Sequence, residues 1–176
     1  MMMSRSEIEF YLEDIVKFVD PLGLVSAPLP KVIVDTHIRT DGTIAHYSLS
    51  DNSITMGCLA GPITFIHEMR HWAQMHSCQM INLSGEVYWR GKFECMDNSP
   101  TLQAYYAPWE VDADAFAVAA CINLRIYPRD LQILMSRFRT EKELLEIYEK
   151  SIKAEQKWAN CDKYHQYRRM YHASGF

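Results

Sequence analysis

The sequence predicts an α+β fold, in which a small antiparallel or mixed sheet packs on two central helices, an N-terminal helix and C-terminal helices. Short runs rich in β-branched residues between positions 31 and 59 favour strands, and with later runs suggest about three to five of them. Apolar residues at helical spacing precede these runs and dominate the rest of the chain. The 176 residues, 48% of them hydrophobic, suffice for one core, so we expect a single domain over 1–176.

Each predicted element carries a local signal. The first helix ends at Asp20-Pro21, and Asp41-Gly42 is a hairpin signal, so residues 31–59 are expected to form three antiparallel strands. Proline suits the first turn of the second and third helices, and TEKE, beginning at Thr140, is a capping-box pattern. The predicted helices occupy residues 6–19, 62–75, 108–124, 129–139 and 140–161. Residues 77–104 are expected to be irregular, with one or two strands around Arg90-Gly91.

The composition indicates a cytoplasmic protein with no membrane partner. The formal net charge is −4, so no global basic field favours nucleic acid or an anionic membrane surface. The opening MMMSRSEIEFYLEDIVKFVD lacks the apolar stretch and cleavage site of a secretory signal. No apolar run approaches the ~18 residues of a membrane span. The 5 cysteines are odd in number and contain no CxxC pair, which is typical of reduced thiols in a cytosol.

The stretch HEMRH predicts a catalytic metal site on the second helix. Residues four apart on a helix point in nearly the same direction, so His67 and His71 can bind one ion. Glu68 lies about 100° further round the helix, where it can act as the general base for a metal-bound water. HExxH therefore encodes two zinc ligands and one base. The same motif could be two surface histidines on a solvated helix. The flanking residues argue against this, because they give the helix an apolar side: Ile63, Ile66, Met69 and Ala73.

A catalytic site of this kind needs a third ligand, and Glu110 is the best candidate. It begins the helix PWEVDADAFAVAAC, with Asp114 one turn further on the same face. A carboxylate in that second position can accept the other ring N–H of a ligand histidine. An ExxxD pair can also be two exposed carboxylates, but this helix is otherwise apolar and alanine-rich. His76 lies about 180° round the helix from the first motif histidine, and His37 and His46 lie on predicted strands, where a lone histidine is more often structural.

With these residues in place, the sequence resembles a zincin-type zinc metallopeptidase, and within that group the gluzincins, which combine HExxH with a downstream glutamate ligand. The run from Glu110 to Asp114 matches the ExxxD pattern of thermolysin-like members. EVDADAFA also resembles the second motif of ImmA/IrrE-like metallopeptidases and of small phage and bacterial metallopeptidase domains. The resemblance covers residues 31–125, so the helices over residues 129–172 form an extension outside it.

The resemblance implies one Zn²⁺ ion held by His67, His71 and Glu110. It implies that Glu68 is the catalytic base and that the Asp114 carboxylate hydrogen-bonds to a ligand histidine. The activity it implies is hydrolysis of peptide bonds by Glu-assisted attack of a zinc-bound water. Because members of this kind include regulators that cut one protein partner, a specific protein is the expected substrate.

Three details of the site go beyond the ligands. Arg70, inside the motif, departs from the small or apolar residue often found there and is expected to add positive charge near the ion. Tyr105 and Tyr106 are candidate stabilisers of the transition state, although aromatic packing would explain them equally well. In zincins the substrate commonly pairs with the strand before the active-site helix, and here that strand is expected to have an open edge. The residues of this predicted pairing strand are Ile54, Thr55 and Met56.

Two other functions stay open at this stage. A zinc-binding regulatory or protein-interaction module would keep the same ligands, although a structural site needs no base and usually takes four protein ligands. The tail KYHQYRRMYHASGF mixes cations with tyrosines and could bind single-stranded nucleic acid, although a solvated amphipathic helix end explains it better. The sequence also leaves open whether the C-terminal helices form homo-oligomers.

Overall fold

The described chain folds into five helices and two three-stranded sheets, which confirms the predicted α+β class. The computed structural model describes residues 5–35, 44–57, 60–83, 86–94, 107–126 and 140–173, with side chains described from residue 10 onward. The helices are α1 (Arg5–Val19), α2 (Pro62–His76), α3 (Pro108–Asn123), α4 (Glu141–Ala159) and α5 (Asp162–Ala173). The strands are β1 (Lys31–Asp35), β2 (Ala45–Ser48), β3 (Ser53–Gly57), β4 (Met80–Leu83), β5 (Glu86–Trp89) and β6 (Lys92–Glu94). None of these helices is long and apolar enough to cross a membrane.

The first sheet is mixed, with the strand order β1-β3-β2. β3 pairs in parallel with β1 and antiparallel with β2, so the prediction of three antiparallel strands is wrong for β1. Alternating β-branched residues indicate that a segment is a strand but do not determine its partner. The central strand β3 is the most buried of the three, with Ile54 fully buried, whereas β1 is exposed along most of its length although it contains more large apolar residues. The turn predicted at Asp41-Gly42 and the helix predicted at 129–139 lie outside the described residues.

The second sheet is an antiparallel meander of β4, β5 and β6. The hairpin β5–β6 confirms the strands predicted around Arg90 and Gly91, which both have positive φ values, 46° and 74°. A Cβ on Gly91 would lie 2.8 Å from the Trp158 ring, so glycine lets this turn approach α4. β4 corrects the expectation that the chain after α2 is irregular. Its residues, MINL, are too few and too weakly patterned to predict a strand.

Helices α2 and α3 form the centre of the core. Helix α2 confirms the helix predicted at 62–75, and α3 confirms the one predicted at 108–124. In α3, Ala113, Ala117 and Ala120 are fully buried. Small side chains of this kind let two helices approach closely. Polar side chains from both helices can therefore meet where the helices are in contact.

The C-terminal helices pack back onto this core. Thr140 and Glu143 form the predicted capping box at the start of α4, with hydrogen bonds of 2.7 Å and 3.2 Å. The long helix expected to reach residue 161 ends earlier, and α5 follows it as a separate helix. Trp158 of α4 and Tyr164 of α5 form a buried cluster with Cys78, which follows α2. This cluster fastens both C-terminal helices to the end of α2.

Candidate metal centre

His67 and His71, one turn apart on α2, meet Glu110 at the start of α3. The Nε2 atoms of the two histidines are 3.0 Å apart. Glu110 Oε2 lies 3.1 Å from His67 Nε2 and 3.4 Å from His71 Nε2. The three potential ligand atoms therefore form a nearly equilateral triangle, which we call the ligand triangle. All three side chains remain partly open to solvent.

The size of the ligand triangle suits a tetrahedral zinc ion. Zinc binds nitrogen and oxygen at ~2.0–2.1 Å, and two ligand atoms of a tetrahedron with such bonds lie about 3.3–3.4 Å apart. The edges of the triangle, 3.0 to 3.4 Å, are close to that value. Two imidazoles and one carboxylate are also a donor set that zinc accepts. The residues present therefore fit the ion that the sequence predicts.

The outer nitrogen of each histidine ring already has a partner. His67 Nδ1 lies 2.8 Å from Asp114 Oδ1, and His71 Nδ1 lies 2.8 Å from Gln74 Oε1. Both partners are acceptors, so in a neutral ring Nδ1 carries the hydrogen and donates it. The Nε2 lone pairs then point towards one another and towards the Glu110 carboxylate. Such a convergence of lone pairs is unfavourable unless a cation lies between them.

The pKa values of the ligand groups agree with this preference for positive charge. Burial disfavours the charged ring of His67, but hydrogen bonds with Asp114 and Glu110 outweigh burial and raise its pKa well above the usual range. Burial alone would raise the pKa of Glu110, yet its hydrogen bonds with His67 and His71 lower that pKa well below the usual range. The protein thus keeps the Glu110 carboxylate ionised beside a His67 ring whose positively charged form is favoured. A divalent metal ion meets the same electrostatic requirement.

Glu68 lies beside the ligand triangle rather than in it. Its Oε2 accepts a hydrogen bond of 2.8 Å from the backbone N–H of Tyr47, on β2. Only 7% of Glu68 is exposed, so its carboxylate is held in place and largely shielded from bulk water. This is the position that the helical spacing predicts for a general base.

A chain of hydrogen bonds from α5 supports Tyr47. The Tyr47 hydroxyl donates to Asn52 Oδ1 at 3.0 Å and lies 2.8 Å from His76 Nε2. His76 Nδ1 in turn meets the Tyr171 hydroxyl of α5. Burial lowers the pKa of His76, which favours a neutral ring that donates through one nitrogen and accepts through the other. His76 lies apart from the ligand triangle, as its helical spacing predicts.

Arg70 does not add charge at the ligand triangle, contrary to the expectation from its place in the motif. It is fully buried and turned towards α3 and α4. Its Nε donates to Asp112 Oδ2 at 2.8 Å and its Nη2 to Glu155 Oε2 at 3.0 Å. Nη1 donates to the Val19 carbonyl, and the guanidinium lies 3.6 Å from the centre of the Phe116 ring. Helical spacing allows this direction, because Arg70 lies about 60° round the helix from His67 and about 100° from His71, on the side opposite Glu68.

Asp112 links this buried ion pair to the ligand triangle. Gln74 Nε2 donates to Asp112 Oδ2 and to the Trp109 carbonyl, both at 2.9 Å. Arg90, from the β5–β6 turn, donates to Asp112 Oδ1 at 2.9 Å. Because both hydrogens of the Gln74 amide nitrogen have acceptors, its carbonyl oxygen is the atom that meets His71. The amide orientation beside His71 is thus set by Asp112 and the Trp109 carbonyl, neither of which is itself a candidate ligand.

The strand predicted to pair with substrate has no open edge. β3 is paired on one side by β1 and on the other by β2, so Ile54, Thr55 and Met56 cannot accept a further strand. The expectation is wrong because the order of strands along the chain does not determine which strand lies at the edge. Among the described strands, β2 is the edge strand beside Glu68. Three residues considered from the sequence lie outside the described part of the chain: Tyr105, Tyr106 and His37.

Two residues at the site have roles that the sequence did not reveal. Gln74 follows His71 by three residues, a spacing that places both on one helix face. That signal is available, but a glutamine on a helix is too common to be singled out. Tyr47 acts through its backbone N–H, which every residue except proline provides. No residue type could have indicated that contact.

Comparisons with protein-family models, with curated proteins and with solved structures found no match to this chain. The function of the site is therefore inferred from its own geometry. The ligand triangle, the Glu68 carboxylate and the partners of the two outer ring nitrogens provide that geometry. They come from α2, α3 and β2.

Proposed function

We propose that this protein is a zinc-dependent peptidase of the zincin type, with His67, His71 and Glu110 as the metal ligands. The ligand triangle, with edges of 3.0 to 3.4 Å, carries this proposal. It supplies three of the four ligands of tetrahedral zinc, and three protein ligands are typical of catalytic zinc sites. Mn²⁺, Co²⁺ and Ni²⁺ accept the same donors, so the metal content of the purified protein decides among these ions.

Glu68 provides the proton transfers in this proposal. A zinc ion in the site supplies Lewis acidity, which acidifies a water molecule and polarises a carbonyl group. Glu68 accepts a proton from the attacking water and passes it to the nitrogen of the departing amine. The Tyr47 N–H binds one oxygen of this carboxylate, so the other oxygen would take the proton. Asp114 and Gln74 keep both histidine rings in the tautomer that presents Nε2 to the metal.

An extended polypeptide is the substrate that the strand arrangement favours. Among the described strands, β2 lies at an edge of the mixed sheet, and its Tyr47 N–H reaches Glu68. A peptide that adds to this edge as a further strand would bring its backbone to the carboxylate and the ligand triangle. Pairing with β2 replaces the pairing with β3 that the sequence predicts. We propose a cytoplasmic protein partner as the source of this peptide, from the thiol pattern and the lack of a basic field.

The alternative functions have less support. A metal-binding module without catalysis would use the same ligand triangle but gives no role to Glu68, a carboxylate that is held at the site and 7% exposed. For nucleic-acid binding, tyrosines of the tail would need free ring faces. Tyr164 is buried and its hydroxyl accepts a hydrogen bond from Arg168, while Tyr171 contacts His76. These contacts give the tail a packing role.

Replacing Glu68 with glutamine tests the proposed peptidase. Glutamine keeps the shape of the side chain and can still accept the Tyr47 N–H, but it cannot take a proton. We expect Glu68→Gln to bind as much zinc as the wild type and to cleave a random peptide mixture roughly 10²–10⁴-fold more slowly, measured by mass spectrometry. Glu149→Gln, which changes an exposed carboxylate on α4, serves as the matched control. Unchanged cleavage by zinc-loaded Glu68→Gln would rule out this mechanism.

A further inference from the structure

An apolar cavity of about 500 Å³ lies at the C-terminal end of α2. Its walls come from the end of β2, the last turn of α2, the strands β4 and β5, and helix α5. Its size is within the range of sites that bind small ligands or large side chains. Most of its lining side chains are apolar. At least one lining residue comes from each of these walls: Leu49, Met75, Met80, Val87, Tyr167 and Met170.

Two walls of this cavity continue the walls of the metal site. Met75 follows His71 by four residues, so it lies one turn further along α2 and about 40° round the helix. Leu49 is two residues beyond Tyr47, whose N–H binds Glu68. Two of the lining residues therefore follow residues of the site closely along the chain, one on α2 and one just after β2.

The second sheet joins the cavity to the third ligand. Met80 and Val87, on β4 and β5, line the cavity and also pack against a cluster that contains Trp89 and Trp109. Trp109 directly precedes Glu110 in α3. The cavity wall made by these strands is thus packed against the end of α3 that supplies the carboxylate ligand.

Helix α5 closes the far side of the cavity. Tyr167, Met170 and Tyr171 line it. Tyr171 is also fastened to the end of α2 through its hydrogen bond with His76. Met170 is 49% exposed, so it stands at the mouth, where a substitution changes the entrance more than the core.

We propose that this cavity receives a bulky apolar side chain of the polypeptide substrate, close to the bond that is cut. This inference rests on the proposed peptidase activity, and it states which side chains the peptidase prefers in its substrate. None of the described residues that line the cavity carries a charge, so a charged residue would lose its hydration beside them without gaining a partner among them. An apolar side chain gains from the same transfer. The methionines of the lining have flexible thioether chains that fit residues of different shape, so leucine, methionine and phenylalanine are all accepted.

A pair of variants on α5 tests the assignment. Met170→Arg places a charge at the mouth of the cavity. Gln166→Arg places the same charge on the same helix at an exposed position outside the lining. Neither residue belongs to the ligand triangle or its supports, so both variants are expected to keep the zinc content of the wild type.

The first measurement examines the cavity without catalysis. Zinc-loaded Glu68→Gln is titrated with N-phenyl-1-naphthylamine, a neutral apolar dye whose fluorescence rises on transfer from water. We expect saturable binding that Met170→Arg, in the same background, weakens by about 10-fold or more and that Gln166→Arg leaves unchanged. Absence of binding, or equal binding by Met170→Arg, would overturn the cavity as an apolar site.

The second measurement examines the substrate. The wild type and both α5 variants are incubated with a random peptide mixture, and the new chain ends are sequenced by mass spectrometry. We expect bulky apolar residues to be enriched at one fixed position from the cut, with the enrichment reduced by about 10-fold or more in Met170→Arg alone. An apolar preference that survives in Met170→Arg overturns this inference and leaves the peptidase intact. Absence of cleavage by the zinc-loaded wild type overturns both.

Discussion

Each histidine of HEMRH is held by its own hydrogen-bond acceptor, and the two acceptors differ in charge. The ring of His67 donates to a carboxylate, Asp114, and the ring of His71 donates to an amide, Gln74. Both distances are 2.8 Å, but a hydrogen bond to an ionised acceptor is stronger than one to a neutral acceptor. The two positions therefore respond differently to substitution, although both fix the same tautomer.

Asp114→Asn is expected to weaken zinc binding by roughly 10–100-fold. Asparagine can still accept the His67 N–H, but the negative charge that favours a cation at the site is lost. A competition titration against a chromogenic zinc chelator measures the dissociation constant. Glu149→Gln, which removes a charge from the exposed face of α4, controls for the change in net charge. If both variants bind zinc equally well, the hydrogen bond from His67 to Asp114 does not contribute to zinc binding.

Gln74→Leu is expected to weaken zinc binding by roughly 10-fold or more, because leucine leaves the Nδ1–H of His71 without an acceptor. A loss of packing alone would also reduce affinity, so the ring tautomer is the deciding measurement. In the imidazole ¹⁵N NMR spectrum we expect His71 of the zinc-free wild type to carry its hydrogen on Nδ1 and the variant to show a mixture of tautomers. The exposed glutamine of α4 provides the control Gln156→Leu. An unaltered tautomer in Gln74→Leu would contradict the assigned role.

The residues that meet at the candidate metal centre were largely predictable from the sequence. Most of the residues that hydrogen-bond to them and hold them in place were not. Helical periodicity places His67 and His71 on one face and Glu68 beside them, which needs only local geometry. Glu110 required a prediction across two helices, and the alanines of α3 gave a physical reason for close approach. The orientation of Arg70 was missed, because no local pattern shows that its partners come from α3 and α4.

At the level of elements, a buried ion network joins four parts of the fold. Arg70 of α2 and Arg90 of the β5–β6 turn share Asp112 of α3, and Glu155 of α4 completes the charge balance. Gln79 connects the same groups, since it donates to Glu155 and accepts from Arg90. Two cations and two carboxylates neutralise one another, so each depends on all the others. The C-terminal extension is in this way tied to the helix that carries the motif.

Glu155→Ala is expected to destabilise the protein by about 3–5 kcal/mol, because Arg70 would remain buried with one carboxylate fewer. Urea unfolding followed by circular dichroism gives the free energy of unfolding. The control Glu149→Ala, at an exposed position on the same helix, is expected to change it by no more than about 0.5 kcal/mol. Equal stabilities of the two variants would mean that the network contributes nothing to the fold.

Helices were predicted more accurately than strand partners, for a physical reason. The boundaries of α2, α3 and α4 depend on prolines, caps and periodicity, which act over a few residues. The pairing of β1 with β3 instead joins segments separated by another strand, and β-branched alternation is the same in either arrangement. The choice of the central strand is made by burial in the assembled core, where β3 packs near α2.

On the scale of the whole molecule, the metal site draws on nearly every part of the described chain. Helix α2 supplies two of the proposed ligands and the proposed base, α3 supplies the third proposed ligand, and β2 supplies the contact that holds Glu68. The ion network fixes Gln74 from α3, and the hydrogen bonds of His76 reach Tyr47 from α5. A fold that fixes three ligands and their partners in this way is expected to bind its ion without large rearrangement.

The proposition on which the other inferences depend is that His67, His71 and Glu110 together hold one divalent ion. Mass spectrometry of the metal content decides it, with wild type and Glu110→Ala purified side by side and dialysed against a weak chelator. We expect about one zinc ion per wild-type chain and a large loss in Glu110→Ala, since two imidazoles alone do not complete a zinc site. A full equivalent of metal in Glu110→Ala, or no divalent metal bound by the wild type after incubation with zinc, would contradict the proposition.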